Sequence, residues 1–392
     1  MSSADFDLSE ELFQWFMATV PTPAIPHQVR ASDFGHAASL IIESKQARPL
    51  QKQSSKKLAL VLDLDMTLVH ALQLSAFTPK FEPAFLGCVK FSKDNSTAQD
   101  NPQIFLLHLD EQPYVIKLRP GVRAFLRELA PLFELSIFTK ATRPYLDFLL
   151  ATLDPNRDIF GVAVSRDDAP ELDIDTKVLA IVSDRPMSEI VVFDDRTTVW
   201  RECAQNVVRA EPYIFLDKKM GSLAAAVNNR THLCEDNDRQ LLAITETLKT
   251  VHFEYIQRLN ATGSADVRDI LKEVRSRVLR GCKLMFSGVP KDELPSFVSD
   301  VAMLGGECSL DEEVGEDTTH LLVAGGGKNN TKKVYEAKKF GKIMILHASW
   351  LIHALSTWSR PEEALFELSL FHYDNEGKVV SEVDSWEVCK KN

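Results

Sequence analysis

The chain contains 392 residues, of which 45% are hydrophobic, and it has a formal net charge of -11 at pH 7. This length suits two or three domains, since a domain usually contains about 100 to 200 residues. The composition excludes a wholly disordered or collagen-like protein, and the excess of acidic residues argues against non-specific binding to nucleic acid.

Residues 1–55 combine a short apolar patch with a proline-punctuated stretch, and we interpret them as a partly disordered extension rather than a domain. From Leu58 onwards, short apolar runs alternate with amphipathic segments. The run 58–64 is continuous enough for a strand that is buried on both faces, as in parallel sheets covered by helices. Asp63 and Asp65 lie at the carboxyl end of this predicted strand.

Three more strands are predicted, at 114–118, 134–138 and 190–193. Pro120 fits the first turn of a helix after the first of these strands, and apolar residues recur at helical spacing again from Tyr145. Alternating strands and helices of this kind predict a right-handed, mostly parallel α/β sheet.

Groups suited to a single task follow three of the predicted strands. Asp63 and Asp65 follow the first strand, Thr139 follows the strand at 134–138, and Asp194 and Asp195 follow the last one. Because ligands bind at the carboxyl ends of the strands in open parallel sheets, we expect these side chains to form one site.

The segment 63–67 reads Asp-Leu-Asp-Met-Thr and begins a loop, so one aspartate can offer its side chain and the other its backbone carbonyl. A hard cation such as Mg²⁺ binds oxygen ligands of this kind together with waters and substrate phosphate. One carboxylate can attack phosphorus to give an aspartyl-phosphate, and the other can protonate the leaving oxygen and then deprotonate water. Thr139 and Lys177 are the candidate donors to the transferring phosphoryl group.

Each of these residues also has a plainer interpretation. A DxDxT segment arises by chance in some chains of this length, and Asp194 with Asp195 can simply cap a helix that begins near Thr197. Thr139 alone suits a helix cap, and Lys177 alone suits a solvated surface. Their joint order along the chain favours a catalytic site over these separate explanations.

Five segments share a family pattern: LVLDLDMTLVH at 60–70, KLRPG at 117–121, IFTKAT at 137–142, SRDD at 165–168 and VVFDDR at 191–196. Together they resemble the Fcp-type carboxyl-terminal-domain phosphatases of the haloacid dehalogenase superfamily. The resemblance extends over about residues 56–360. It implies a haloacid dehalogenase-like parallel sheet flanked by helices, then a helical bridging layer, then a small α/β domain.

The resemblance implies a role for each residue that matches the pattern. Asp63 is implied to be the nucleophile, Asp65 the general acid and base, and Thr139 with Lys177 the phosphate clamp.

The same matching implies a Mg²⁺ site formed by Asp63, the Asp65 carbonyl and Asp195, with Asp194 organising the neighbourhood. For the further matches outside the DxDxT segment, a surface ion pair is the alternative explanation. These four matches are the catalytic candidate Arg119 and the substrate-binding candidates Asp154, Arg166 and Arg196. Thr67, the last residue of the DxDxT segment, is a further substrate-binding candidate.

The sequence also departs from the family pattern. Lys140 and Ala141 stand where the family commonly has Met and Gly, and Phe133 stands where Tyr is frequent. These differences leave the acidic residues intact, but they can alter substrate preference. The match of Lys177 depends on an alignment across the loop 169–175.

No large cap domain is evident between Thr67 and Arg119 or between Asp154 and Ile190. An open site suits a phosphorylated polypeptide better than a small metabolite. By resemblance, the substrate is phosphoserine in the carboxyl-terminal repeats of RNA polymerase II, which implies a location in the nucleus.

The remaining composition agrees with an intracellular protein. The six cysteines form no CxxC pair, so we expect a reducing compartment and neither a zinc site nor a disulfide framework. The amino terminus is acidic, so we expect no secretory signal there. No segment approaches the roughly 20 apolar residues of a membrane span, so we expect no contact with a membrane and, given the charge, none with nucleic acid.

A second α/β pattern begins at Cys282. Its features resemble a BRCT domain, and we predict that Trp350 on its last helix belongs to the core. These features are Phe286-Ser287-Gly288, Gly305-Gly306, the segment 319–323, strands at 283–286, 320–323 and 343–346, and helices at about 292–304, 331–340 and 348–357.

In phosphopeptide-binding BRCT domains, a Ser before Gly, the following amides and a Lys on the second helix hold the phosphate. Ser287, Gly288 and Lys333 match these positions, with Thr331 nearby, and they offer the donors that a phosphate needs. The alternative is that Ser287 ends a strand and Lys333 is solvated, and for a single module we favour docking or scaffolding. A transcription-factor partner is expected to bind this domain or the tail at 372–392, which we otherwise interpret as disordered.

The leading hypothesis is a Mg²⁺-dependent protein serine phosphatase of the transcription machinery. The alternatives are a catalytically weak phosphopeptide-binding scaffold, which the intact aspartates disfavour, and a nucleic-acid end phosphatase, which the acidic net charge disfavours. The predicted domains are the extension at 1–55, the phosphatase domain at 56–221, the helical layer at 222–280, the BRCT domain at 281–371 and the tail at 372–392.

Overall fold

The computed structural model describes residues 57–73, 104–109, 112–214, 238–324, 331–373 and 379–382. The predicted extension at 1–55 lies outside the described residues. The chain divides into two compact units, Met1–Leu242 and Ala243–Asn392. This division does not test the domain boundaries proposed from the sequence, which stay predictions. Within the described ranges, the helices are too short or too polar to cross a lipid bilayer.

Strands and helices alternate along the first unit. Its strands are β1 (Leu58–Leu62), β2 (Val69–Gln73), β3 (Ile104–Leu109), β4 (Gln112–Leu118), β5 (Phe133–Phe138), β6 (Phe160–Val164), β7 (Ile190–Asp194) and β8 (Val207–Arg209). Its helices are α1 (Val122–Leu129), α2 (Arg143–Leu153), α3 (Leu179–Val182) and the beginning of α4 (Gln240–Thr262). Short 3-10 helices lie at Arg166–Asp168, Met187–Glu189, Thr197–Val199 and Arg201–Asn206.

A parallel sheet forms the centre of the first unit, and its strand order among the described residues is β6-β5-β1-β7-β8. β1 pairs with β5 on one side and with β7 on the other. Every residue of β1 is buried, which confirms the predicted strand buried on both faces. Val61, Phe138 and Val192 from the three central strands pack in one core with Trp200, so the predicted parallel α/β sheet is confirmed.

A separate antiparallel sheet contains β2, β4 and β3 in that order. The prediction that the strand at 114–118 belongs to the parallel sheet is therefore wrong. Two residues separate β3 from β4, which is too few for the crossover that parallel pairing requires. This sheet lies in the interval between Thr67 and Arg119, and residues 74–103 of that interval are outside the described part of the chain.

Two edge strands, β6 and β8, are missing from the sequence prediction. β6 contains Gly161 and is mostly half-buried, and β8 has only three residues, so neither gives the continuous apolar run of a central strand. Helix α1 begins at Val122, after Gly121 with a φ of 79°. Pro120 therefore precedes the helix instead of occupying its first turn.

The second unit contains most of α4 and a small α/β domain, whose strand order is β10-β9-β11-β12 with parallel pairing. Trp350 is fully buried, and its Nε1 donates to the carbonyl of Pro361 at 3.1 Å, which confirms that it lies in the core. The elements are α5 (Val267–Ser276), β9 (Lys283–Ser287), α6 (Leu294–Met303), β10 (Glu307–Cys308), β11 (His320–Val323), α7 (Lys332–Phe340), β12 (Met344–His347), α8 (Ser349–Thr357) and 3-10 helices at Glu363–Phe366 and Leu368–Leu370.

The tail contains a further pair of strands. β13 (Phe371–Tyr373) pairs with β14 (Val379–Glu382) in antiparallel fashion. The interpretation of the tail as disordered is therefore wrong for these strands, which form backbone hydrogen bonds with each other. Residues 374–378 and 383–392 lie outside the described residues.

Candidate active site

The acidic residues predicted for the site follow the carboxyl ends of central parallel strands. Asp63 directly follows β1, and its backbone N–H donates to the carbonyl of Phe193 on β7 at 3.0 Å. Asp194 is the last residue of β7, and Thr139 directly follows β5. The structure therefore brings Asp63, Thr139 and Asp194 to one edge of the sheet.

Lys177 lies at the centre of this group. Its Nζ donates to Oδ1 of Asp63 at 2.6 Å and to Oδ2 of Asp194 at 2.7 Å. The residue is 6% exposed, so the interpretation of Lys177 as a solvated lysine is wrong. Its backbone N–H donates to the carbonyl of Val199 at 2.8 Å, and this bond fixes the end of the loop that carries the side chain into the site.

The charges in this group alter one another's pKa values. Burial raises the pKa of Asp63 to about 8, while the ammonium group of Lys177 works in the opposite direction. Burial lowers the pKa of Lys177, but the carboxylates of Asp63 and Asp194 outweigh this effect and leave that pKa raised. Lys177 is therefore charged at neutral pH, and it offsets the repulsion between the two carboxylates.

Two hydroxyl groups hold Asp65 at the same edge of the sheet. The hydroxyl of Tyr145 donates to Oδ1 of Asp65 at 2.6 Å, and Oγ1 of Thr139 donates to Oδ2 at 3.5 Å. Thr139 also accepts from the backbone N–H of Ala141 at 3.0 Å. This bond lies in the turn before α2, whose N-cap is Thr142, so the interpretation of Thr139 as a helix cap is wrong. Burial raises the pKa of Asp65, and the hydrogen bond from Tyr145 opposes this rise.

Three carboxylates form a candidate cation site. Oxygen atoms of Asp63, Asp194 and Asp195 lie within 4.8 Å of one another, and they are hard ligands of the kind that Mg²⁺ prefers. Thr67 holds the third carboxylate, because its Oγ1 donates to Oδ1 of Asp195 at 3.3 Å and accepts from the Asp195 N–H at 3.1 Å. The residues present therefore fit a metal-dependent site.

Protein donors occupy both carboxylate oxygens of Asp194. Nε1 of Trp200 donates to Oδ2 at 2.8 Å, beside the ammonium group of Lys177. The backbone N–H of Arg196 donates to Oδ1 at 2.7 Å, as in a capping turn. Asp194 thus has the contacts of a residue that organises the site. The 3-10 helix at Thr197–Val199 has Arg196 as its N-cap and no side-chain cap, so the interpretation of Asp194 and Asp195 as helix caps is wrong.

Arg119, which the resemblance implies to be catalytic, contacts the backbone of the DxDxT loop. Its Nη1 donates to the carbonyls of Thr67 and Glu211, each at 3.0 Å. Its Nε and Nη2 donate to the two carboxylate oxygens of Asp238 at 3.0 and 2.8 Å, and its guanidinium lies 5.3 Å from the ring centroid of Tyr213. These contacts suit a positioning residue, since they reach the loop backbone rather than the reacting carboxylates.

The other predicted substrate contacts lie in different places. Asp154 is buried, and its carboxylate accepts from three backbone N–H groups that lead into the amino end of β6, so it stabilises a turn. The side chains of Arg166 and Arg196 are 52% and 50% exposed, and they pair with Asp167 and Asp175. A polypeptide can reach the two arginines, and the substrate-binding roles of all three residues stay predictions.

Sequence reasoning misses Tyr145, Trp200 and Asp238. The apolar pattern marks Tyr145 only as part of the buried face of α2, although a buried tyrosine or tryptophan needs a partner for its polar atom. That requirement is the signal that could have found the two aromatic residues. Asp238 lies 119 residues beyond Arg119 and outside every segment of the family pattern, so no signal in the sequence marks it.

The residues predicted for phosphate binding in the second unit line one cavity of about 430 Å³. Ser287 and Thr331 share a hydrogen bond between their hydroxyl oxygens at 2.8 Å. Nζ of Lys333 donates to two backbone carbonyls at 3.4 and 3.1 Å, so this lysine is not simply solvated. Gly288 has a φ of 82°, where a side chain would be strained. Their role as phosphate ligands stays a prediction.

The parallel sheet and the lysine-bridged carboxylates at its edge define a phosphatase of the haloacid dehalogenase class. Residues 58–257, about half of the chain, match the family of NLI interacting factor-like phosphatases. Residues 274–355 match the BRCA1 C-terminal (BRCT) domain. The chain therefore belongs to the NLI interacting factor-like phosphatase family and has a BRCT domain behind the phosphatase domain.

Individual relatives agree with this family. The RNA polymerase II C-terminal domain phosphatase-like 4 of Arabidopsis thaliana is 29% identical over 83% of this chain and 73% of its own length. A C-terminal domain phosphatase of RNA polymerase II from Caenorhabditis elegans is 26% identical over 85% of this chain, which spans 50% of that relative. The solved structure of Fcp1, an essential RNA polymerase II CTD phosphatase, matches with a TM-score of 0.60 at 25% identity and covers 83% of this chain and 99% of its own. The predicted resemblance and fold are thereby confirmed.

Proposed function

We propose that this chain is a Mg²⁺-dependent protein serine phosphatase that acts on the phosphorylated carboxyl-terminal repeats of RNA polymerase II through an aspartyl-phosphate on Asp63. The observation that carries the proposal is the position of Lys177, whose Nζ lies 2.6 Å from an oxygen of Asp63 and 2.7 Å from one of Asp194. An ammonium group beside the nucleophile is suited to bind a phosphate that arrives there.

In the first step, Asp63 reacts as a carboxylate, the form that the ammonium group of Lys177 favours and burial disfavours. One of its oxygens forms a bond to phosphorus while the bond between phosphorus and the serine oxygen breaks. Asp65 gives its proton to the departing serine oxygen and becomes a carboxylate. The raised pKa of Asp65, caused by burial, keeps this carboxyl protonated closer to neutral pH. Thr139 and Lys177 bind the phosphoryl oxygens, and for this Lys177 exchanges its contact with Asp63 for one with the phosphate.

In the second step, a water molecule attacks the phosphorus of the aspartyl-phosphate. Asp65 removes a proton from this water, and the bond between phosphorus and Asp63 breaks to release phosphate. Tyr145 and Thr139 hold Asp65 through both steps, since each donates to one of its oxygens. The cycle returns Asp63 as a carboxylate and Asp65 as an acid.

We assign the Mg²⁺ ligands to Asp63, the Asp65 carbonyl and Asp195, with Asp194 as the organising neighbour. When bound, Mg²⁺ would offset the repulsion between these carboxylates and the substrate phosphate. Thr67 orients Asp195 through two hydrogen bonds. It thereby links the DxDxT loop to the end of β7.

The names of the relatives support the choice of substrate. One curated relative and the solved structure are named as phosphatases of the C-terminal domain of RNA polymerase II, and the other curated relative is named as a phosphatase-like protein of that domain. Because the chain covers only half of one of them, the substrate belongs to the proposal. A substrate on the transcribing polymerase also implies the nucleus, which we propose as the location of this protein.

We propose that the BRCT domain docks the enzyme to a partner in the transcription machinery. Phosphopeptide binding is the second candidate, and it is supported by the cavity that Ser287, Gly288 and Lys333 share. A phosphate would have to replace the carbonyl contacts of Lys333. Loss of phosphopeptide binding in Lys333→Ala would favour the second candidate.

Hydrolysis of p-nitrophenyl phosphate and of phosphorylated repeat peptides, with and without Mg²⁺, tests the proposed function. Asp63→Asn preserves side-chain size but removes the nucleophile, so we expect kcat to fall by more than about 1000-fold. Equal rates for the two proteins would contradict the assignment of Asp63. Binding of the peptides without turnover by the wild type would favour the scaffold, and faster hydrolysis of a DNA end phosphate would favour a nucleic-acid phosphatase.

A further inference from the structure

Lys140 is a second lysine beside the proposed phosphate site. It directly follows Thr139 at the carboxyl end of β5, and it is half-buried. Its Nζ lies 5.7 Å from the ring centroid of Phe138, and Nζ of Lys177 lies 5.9 Å from the same centroid. The two ammonium groups are therefore neighbours of one ring at the edge of the sheet where the site lies.

The ammonium group of Lys140 has a different kind of partner from the ammonium group of Lys177. Its Nζ donates to the backbone carbonyl of Asp173 at 2.9 Å, which is a neutral acceptor. Among the described residues, no carboxylate lies within ion-pair distance of this Nζ. An ammonium group has three donors, so Lys140 retains the charge and the hydrogen-bonding capacity to bind an anion.

The charged groups around Lys140 come from the loop that leads to Lys177. Burial, and next the repulsion from Lys177, lower the pKa of Lys140, while Asp173 and Asp175 act in the opposite direction. Asp175 is itself held by the guanidinium of Arg196. Lys140 thus lies within electrostatic range of the phosphate clamp and of two acidic side chains, of which Asp175 already pairs with Arg196.

We propose that Lys140 forms a second anion subsite, which binds a phosphate or carboxylate group that flanks the target phosphoserine on the same polypeptide. This inference rests on the proposed function, because a flanking group requires a polypeptide substrate. Methionine, which the family pattern commonly places at this position, offers no charge for such a contact. The subsite therefore gives this chain a preference for densely phosphorylated or acidic segments.

Three synthetic peptides test the subsite. Each contains one target phosphoserine and differs only at a flanking position, which is serine, phosphoserine or glutamate. We expect a flanking phosphate to raise the kcat/KM of the wild type by about threefold to tenfold over the serine peptide, with glutamate in between, since a charge-assisted contact at a half-exposed site has about this effect. In Lys140→Met, we expect kcat/KM to fall about threefold to tenfold more for the peptide with the flanking phosphoserine than for the peptide with the flanking serine.

Lys57→Met is the matched control. Lys57 also donates from Nζ to a backbone carbonyl, that of Ala130 at 2.7 Å, but it precedes β1 and so lies at the opposite end of the sheet. This substitution removes the same charge, and we expect it to preserve both the activity and the gain from the flanking phosphate. Equal losses on all three peptides in Lys140→Met, or no loss on any, would overturn the subsite.

Binding separates this inference from the proposed function. If the wild type hydrolyses none of the peptides, the proposed function fails, and the subsite is then decided by fluorescence anisotropy with the Asp63→Asn protein. Lys140→Met in that protein must weaken binding of the doubly phosphorylated peptide by about threefold to tenfold more than binding of the serine peptide. A difference between the peptides that survives Lys140→Met but disappears in Lys333→Ala would place the anion in the second unit and overturn the subsite.

Discussion

The hydrogen bond from Tyr145 to Asp65 sets the balance between two forms of one carboxyl group. In the proposed mechanism, Asp65 has to be protonated when the leaving oxygen departs and ionised when water attacks. Burial favours the protonated form, whereas the hydroxyl of Tyr145, which donates to Oδ1 at 2.6 Å, stabilises the carboxylate. Tyr145 thus helps to keep both forms accessible.

Tyr145→Phe keeps the ring and removes this hydrogen bond. The pKa of Asp65 should then rise, and activity that needs protonated Asp65 falls as pH increases through that pKa, so the alkaline limb of the pH profile should move to higher pH. We also expect kcat for a phosphoserine peptide to fall by about tenfold, because Asp65 loses orientation. The loss should be smaller for p-nitrophenyl phosphate, whose leaving group depends less on a proton.

Steady-state rates of both substrates as a function of pH are the measurement for Tyr145→Phe. A uniform loss on both substrates with an unshifted profile would mean that Tyr145 contributes packing only.

Single residues also show how much of the site could be predicted from the sequence. Asp63, Thr139 and Asp194 could be placed together because each follows a predicted parallel strand, and the topology of the sheet brings such positions together. The contact of Lys177 with Asp63 could not be derived in this way, since a loop delivers it. The sequence named Lys177 only as a candidate phosphate donor, and its position depended on the match to the family pattern. Tyr145 could not be recognised as a site residue, because its ring fits the apolar pattern of α2 while its hydroxyl reaches the site.

At the scale of elements, Arg119 joins parts of the chain that are far apart in sequence. From the end of β4 it contacts the carbonyl of Thr67 in the DxDxT loop, the carbonyl of Glu211 after β8, and Asp238. Asp238 also caps the beginning of α4, because its Oδ1 accepts from the N–H of Gln240 at 3.1 Å. The loop that carries Asp63 and Asp65 is therefore held by the start of a distant helix.

Asp238→Asn should weaken this assembly, because Arg119 is 1% exposed and would lose its counter-charge. We expect the free energy of unfolding to fall by roughly 2 to 3 kcal/mol, as for a lost hydrogen bond to a charged group. Urea unfolding of the intact chain measures this loss. Catalytic activity should fall at the same time, since Thr67 orients Asp195.

Asp184→Asn is the control for the same chemical change, because Asp184 is exposed. We expect its effect on unfolding to stay within about 0.5 kcal/mol. An Asp238→Asn protein as stable and active as this control would refute a positioning role for the pair.

The strands show which elements a sequence pattern can assign. β1 and β7 are buried at every residue, and β5 is buried at every residue except Glu134, so all three could be predicted from their apolar residues. β4 has an equally apolar pattern, but its partners are antiparallel, and only its short connection to β3 indicates this. The edge strands β6 and β8 are short and partly exposed, so the pattern does not distinguish them from loops.

At the scale of the whole molecule, the acidic cluster gives the first unit a candidate cation site. No such cluster occurs among the described residues of the second unit. Oxygen atoms of Asp63, Asp194 and Asp195 lie within 4.8 Å of one another. A cation that binds only the folded state stabilises it by mass action. The unfolding of the two units should therefore respond differently to Mg²⁺.

We expect calorimetry to show that Mg²⁺ raises the unfolding temperature of the first unit and leaves that of the second unit in place. The stabilisation should reach about 2.7 kcal/mol when the concentration of Mg²⁺ is about 100 times its Kd. Asp195→Asn should reduce this response, because it removes one of the proposed ligands. Equal shifts of both transitions, or an unchanged response in Asp195→Asn, would contradict the proposed cation site.

The position of Lys177 has a consequence for how the protein is assembled in the cell. Clustered carboxylates repel one another unless a positive charge lies between them. Here Lys177 supplies that charge from within the polypeptide. Maturation of the chain and loading with a divalent cation can then occur as independent events. On this account, a newly made molecule holds its native shape before any divalent cation reaches the proposed site.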